Sequence, residues 1–211
     1  MTRASAQPKP TRIRGRRLTA LAPLSAAALI ASALLAVPTT ASAATGDETG
    51  LRASKKLDIT MQAQQKSNWC WAASGNTIAT WFGRTYSQNQ FCNAAFNRQQ
   101  GTECPNNQAT LGHVQTALRW AGISPGSYVT GWLRYPTVQT EINANRPIET
   151  RIQWSSGGGH MHVLYGFDDA KSWVYWGDPW GSNSRYNWAS HDWYVNNNEF
   201  SWTHSLYRIG A

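Results

Sequence analysis

The chain carries no zinc-ligand spacing, no phosphate-binding P-loop and no dinucleotide-binding glycine motif. No cofactor or metal is implied. Beyond residue 43 it shows neither an internal repeat nor a low-complexity tract, which excludes solenoid and linker architectures. Charge is scarce, at 14% of residues, and the formal net charge of +8 is unevenly placed. Residues 1–43 hold Arg3, Lys9, Arg12, Arg14, Arg16 and Arg17 and no acidic residue, which leaves 13 basic against 11 acidic residues in the remainder, a net of +2. A near-neutral remainder has no electrostatic footprint for nucleic acid.

The first 43 residues read as an export signal. Basic residues Arg12 to Arg17 precede an apolar stretch from Leu18 to Val37, and Ala41-Ser42-Ala43 supplies a small-x-small cleavage site. A membrane anchor is the competing reading. Pro23 and Pro38 interrupt the stretch, and no basic stop follows it. The pattern therefore predicts a secreted, extracellular protein without stable membrane association after cleavage. The Arg16-Arg17 pair leaves general and twin-arginine export both open. Residues 44–57 are polar and uneven, a flexible N-terminal tail or a propeptide remnant. Residues 58–211 are long enough for one domain with a real core.

Cysteine is also scarce, and its number is odd: three. In an oxidising compartment cysteines tend to pair, and one must be left over. Cys92 and Cys104 flank the polar loop Gln99 to Glu103, and a disulfide closing it would contribute about 3 kcal/mol. That leaves Cys70 as the free thiol. It sits at the start of a helix expected over residues 68–82, which Gly83 terminates. A first-turn thiol faces unpaired backbone N–H groups and the positive end of the helix dipole, which favours thiolate.

A nucleophile needs a base and a group to orient it. His160 follows Gly157-Gly158-Gly159 and opens a strand in which His162 shares its face. The glycines allow close backbone approach to a substrate and favour His160. Asp178, before Pro179 at the end of the next strand, could hold the imidazole tautomer. Gln64, six residues before Cys70, is placed to pair its amide N–H with the Cys70 N–H around an oxyanion, and Gln65 competes for that role.

The secondary-structure pattern divides the chain. Helices are expected around Cys70, over Ser87–Arg98 with Ser87 as N-cap, over Thr110–Ala121 and over Thr137–Asn145. Strands are expected over Ile148–Trp154, His160–Phe167, Ser172–Trp176, Arg185–Trp193 and Phe200–Ile209. Helices followed by strands predict an α+β fold, with the nucleophile helix in the N-terminal part and a C-terminal antiparallel sheet or barrel.

These residues resemble the papain-like cysteine proteases. Cys70-Trp71-Ala72-Ala73-Ser74 is similar to the family's Cys-Trp-Ala-Phe-Ser helix, and His160 to Gly166 to its His-Ala-Val-x-x-x-Gly strand. Asp178-Pro179-Trp180-Gly181 is similar to Asn-Ser-Trp-Gly, with Trp180 expected to shield the Asp–His hydrogen bond. The resemblance selects His160 over His162; Gln64 matches the family's oxyanion glutamine by offset, with Gln65 still an alternative. It is strongest to small bacterial members, including type III effector proteases of plant pathogens, which use Asp as third member. It implies that Trp71, Trp180, Gly158 and Gly159 contact substrate.

Two departures stand out. Ser67-Asn68-Trp69 replaces the Cys-Gly-Ser that precedes the nucleophile in plant and lysosomal enzymes, and the shorter Cys-to-His spacing implies a trimmed domain. The resulting reading is a monomeric, secreted endopeptidase acting on polypeptide. An acyltransferase or cell-wall amidase would use the same thioester chemistry. The twelve tryptophans raise a third possibility, a carbohydrate-binding module.

Overall fold

A computed structural model describes residues 53–211. The expected signal segment and residues 44–52 lie outside the described residues. Among the described residues no helix is long and apolar enough to cross a membrane.

After a short first strand, three helices follow. α1, Cys70–Trp81, is rich in small residues, so its neighbours approach closely and nine of its twelve residues are buried. It ends as Gly83, at φ +78°, lets the Gly83 and Arg84 N–H groups reach back to Thr80 and Ala79. α2, Gln88–Ala95, begins with a capping box in which Ser87 Oγ accepts from Gln90 N–H and the Gln90 side chain accepts from Ser87 N–H. α3, Leu111–Trp120, buries Leu111, Val114, Ala117 and Leu118 along one face. A disulfide joins Cys92 on α2 to Cys104, with Cα atoms 6.1 Å apart.

The second half is an antiparallel sheet. Its strands are β1 (Ser54–Lys56), β2 (Ser127–Thr130), β3 (Ile148–Trp154), β4 (Gly159–Asp168), β5 (Trp173–Gly177), β6 (Tyr186–Ser190) and β7 (Phe200–Tyr207). They run in the order β2-β7-β3-β4-β5-β6, with β1 paired to the end of β4. Helix α4 (Tyr135–Asn143) precedes β3. β4 is buried from His160 to Phe167, and α1 packs against it, with Ser74 Oγ donating to the Met161 carbonyl at 3.2 Å. The architecture is α+β, as expected: the helix that begins at Cys70 packs against an antiparallel sheet whose strand β4 carries His160.

Three local expectations give way. The tail expected over residues 44–57 reaches into the sheet, because Ser54–Lys56 forms β1 opposite Gly166–Asp168 and Leu57 is buried. Gly166 makes that pairing possible, since a Cβ there would sit 2.8 Å from the Lys55 carbonyl oxygen. The strand expected over Arg185–Trp193 stops at Ser190. Ser190 instead caps a short helix, α5 (His191–Val195), accepting from Trp193 N–H, and the helix buries His191 and Tyr194. β2 went unforeseen because four residues alternating in exposure at the sheet edge leave little pattern to read.

Candidate active site

Cys70 is the first residue of α1. Trp69 before it contributes no side-chain cap, and the first turn contains no acidic residue, so no side chain competes for the N–H groups beside the thiol. Cys70 is the free cysteine and is partly exposed. The turn before it is strapped by the segment that follows Cys104. Asn68 N–H donates to Asn106 Oδ1 at 2.9 Å and Asn68 Nδ2 to the Asn106 carbonyl at 2.8 Å. The indoles of Trp69 and Trp71 donate to the carbonyls of Pro105 and Asn107, each at 3.0 Å. The disulfide thus anchors the loop that holds the thiol's approach.

His160 lies at the start of β4, opposite Ile152 of β3. Its Nε2 is 2.7 Å from Asp178 Oδ1, just beyond the end of β5, and both residues are buried. Asp178 Oδ1 also accepts from Trp180 N–H, and Oδ2 from Asn183 Nδ2, both at 2.8 Å. With Nε2 occupied, Nδ1 is the ring nitrogen left to His160, which lines the same cleft as Cys70. The structure therefore brings Cys70 and His160 to one cleft, with Asp178 bonded to His160 behind it.

Burial works against the imidazolium of His160, but hydrogen bonds to Asp178 and Cys70, and the negative charge on both, outweigh it and raise the pKa from 6.5 to about 9. Burial likewise opposes ionisation of Asp178, and the His160 hydrogen bond together with the nearby His162 ring overcomes it, holding the carboxyl below the usual carboxylate range. His162 behaves differently. Its burial pulls its pKa down, so it stays neutral. Its Nδ1 meets the Tyr194 hydroxyl at 3.1 Å, which in turn meets Thr150 Oγ1 at 2.7 Å.

His160, His162 and Asp178 each present a ligand-type atom, all within 4.8 Å of one another. Two donors on one tetrahedral ion would stand roughly 3.4 Å apart. The 2.7 Å between His160 Nε2 and Asp178 Oδ1 is a charge-assisted hydrogen-bond distance instead.

A cleft of about 340 Å³ opens over the thiol. Cys70, His160, Trp71, Gly159 and Trp180 all line it. Trp71 is otherwise core, set edge-on to Phe96 at 5.4 Å. Trp180 is 42% exposed and stands edge-on to His160 at 6.1 Å. Gly158 is not among the lining residues. It sits in the turn between β3 and β4 with φ +81°, its carbonyl accepting from Trp154 N–H, a conformation that serves the turn. Gln64 is partly buried beside the thiol's turn, where its Nε2 donates to the Lys66 and Ser67 carbonyls at 3.0 and 2.8 Å while its Oε1 has no partner. Gln65 is exposed.

Several site residues escaped the sequence. Trp154 stacks on His160 at 5.9 Å with planes 21° apart, Asn183 holds Asp178, and Arg151 enters the cleft. Only the register of β3 against β4 places Arg151 and Trp154 beside His160, and no local motif marks it.

The twelve tryptophans do not form one platform. Trp69, Trp71 and Trp202 are core residues, Trp188 and Trp193 share an open hollow with Trp173 and Trp176, and the exposed Trp120, Trp132 and Trp180 lie outside it.

A search of curated proteins returned no match. The family model described as papain-like cysteine protease AvrRpt2 matches residues 53–199, a span that holds all the elements of the cleft from the Cys70 helix to Asp178 and Asn183. The chain belongs to this family and is a papain-like cysteine peptidase.

Proposed function

We propose that this peptidase hydrolyses peptide bonds with Cys70 as nucleophile, His160 as general acid and base, and Asp178 as the group that orients His160. The observation that carries the reading is the 2.7 Å contact of His160 Nε2 with Asp178 Oδ1, made by an imidazole that lines the same cleft as Cys70.

Each step follows from that contact. With a pKa of about 9, His160 is imidazolium at neutral pH and can stand beside a thiolate. Cys70 Sγ attacks the scissile carbonyl carbon. The oxygen's developing charge is met by the Cys70 N–H at the uncapped start of α1 and by Gln64 Nε2, which turns from one of its two carbonyl acceptors. His160 gives its proton to the leaving nitrogen, the C–N bond breaks, and a thioester remains on Cys70. Neutral His160 then takes a proton from water, whose oxygen attacks the thioester and releases the acid and the thiolate. Asp178 stays ionised throughout and fixes the imidazole plane, with Trp154 stacked on the ring and Trp180 at its edge.

The protein acts outside the cell in this account. The signal-like pattern of residues 1–43 and the buried Cys92–Cys104 disulfide support that placement.

A proteome-derived peptide library incubated with reduced protein tests the reading. Internal cleavages should appear with wild type and vanish with Cys70→Ala. Equal cleavage by both proteins would remove Cys70 from the chemistry.

A further inference from the structure

Arg151 is the one permanently charged residue among those that line the cleft. It extends from β3 toward the glycine edge of β4, and its guanidinium occupies the space a side chain at position 159 would need. A Cβ on Gly159 would stand 2.6 Å from Arg151 Nη2. The absence of a side chain at 159 therefore brings the cation against the backbone that leads into His160.

The guanidinium is positioned but not neutralised. Its Nη1 donates to Thr203 Oγ1 at 2.8 Å and its Nη2 to Gln153 Oε1 at 2.9 Å, both uncharged acceptors. No carboxylate pairs with it among the described residues. Two of its five N–H donors are thus used to aim a planar fork, and three remain. A half-buried guanidinium in this state is matched by a carboxylate, which it can take in a bidentate, charge-assisted contact. The other cationic lining residue, His160, is already paired with Asp178, and the remaining lining is largely aromatic or amide, so Arg151 is the unpaired cation offered to an acidic group.

We propose that Arg151 is a specificity-determining residue that selects polypeptides carrying an aspartate or glutamate side chain close to the scissile bond. The proposal rests on the peptidase reading above and adds the substrate class.

The test has two parts. Cleavage sites in the peptide library are aligned for Asp or Glu enrichment, and kcat/KM is then measured on synthetic peptides that differ only by Glu or Gln at the enriched position. Wild type should favour the Glu peptide about tenfold, a ratio equivalent to about 1.4 kcal/mol. Arg151→Met should bring the ratio near one while still cleaving, and Arg151→Glu should favour a Lys peptide instead. The Glu/Gln ratio cancels any general effect of Arg151 on His160. A library cut without acidic enrichment, or a ratio that survives Arg151→Met, overturns the proposal and leaves the peptidase reading standing. A library left uncut removes both. Should Arg151→Met fail to fold, Arg151→Lys decides: it keeps the charge but not the fork, so it must retain part of the preference, and a complete loss or an undiminished ratio counts against the proposal.

Discussion

His162 Nε2 lies 3.6 Å from Asp178 Oδ2, across the carboxylate from the oxygen that His160 holds at 2.7 Å. One aspartate thus sits between two strand histidines with opposite protonation tendencies. The distances separate the two rings. His160 makes a hydrogen bond to Asp178 and lines the cleft with Cys70, whereas His162 stands behind the carboxylate and is tied through Tyr194 to Thr150.

His160→Ala should therefore lower kcat/KM by about 10³-fold or more, the scale of a lost general acid–base group. His162→Ala should cost far less activity, and part of its effect should be on stability, because a buried ring and its Tyr194 contact are lost. Steady-state kinetics beside urea unfolding separates the two. An inactive His162→Ala beside an active His160→Ala would reverse the assignment.

The pH dependence follows from His160. Its folded pKa is raised, so the imidazolium that protonates the leaving amine is present at neutral pH and lost as pH rises through about 9. In Asp178→Asn the negative charge is gone while the amide oxygen can still accept the imidazole N–H. The alkaline limb of kcat/KM should then move to lower pH with substantial activity retained, and Asp178→Ala should be the poorer enzyme. An alkaline limb that stays in place in Asp178→Asn would show that the carboxylate charge does not set the His160 pKa.

Glu149 on β3 is fully buried, and neither carboxylate oxygen has a hydrogen-bond partner. Burial first, and the charge of Cys70 second, push its pKa well up, so the folded protein keeps a proton that the unfolded chain releases above pH ~4.3. The unfolded state then binds fewer protons, and stability falls as pH rises from that point toward the folded pKa. Glu149→Gln removes this dependence. It should leave stability at pH 4 nearly unchanged and raise it at pH 8, as read by urea midpoints. Equal midpoint differences at both pH values would contradict the assignment.

The Cys92–Cys104 bond closes a 12-residue separation and anchors the loop that grips Asn68, Trp69 and Trp71. Replacing both cysteines by alanine should cost about 3 kcal/mol of stability. It should also lower activity under native conditions, because the turn before Cys70 loses its strap. Full activity in a destabilised double variant would show that the strap holds without the bond.

Much of this was legible in the sequence, for a physical reason. Small residues around Cys70 mark a helix that neighbours approach closely, Ser87 announces its own capping box, and the aromatic and β-branched runs from Ile148 onward mark buried strands. β3 appears with the bounds its composition predicts. What escaped depends on partners distant in sequence. β1 exists because Gly166 leaves room for it, and α5 forms where a local cap overrides an aromatic run that reads as strand. Arg151, Trp154 and Asn183 carry no motif. They reach the cleft or Asp178 through sheet register and a turn, which composition does not encode.

The central claim is that Asp178 acts through His160. Comparing kcat/KM for His160→Ala, Asp178→Ala and the double variant tests it most directly. Residues that work as one unit are strongly non-additive, so the double variant should be no slower than His160→Ala alone. A double variant slower than His160→Ala by the full factor lost in Asp178→Ala would show that the two residues act independently, and would contradict the account.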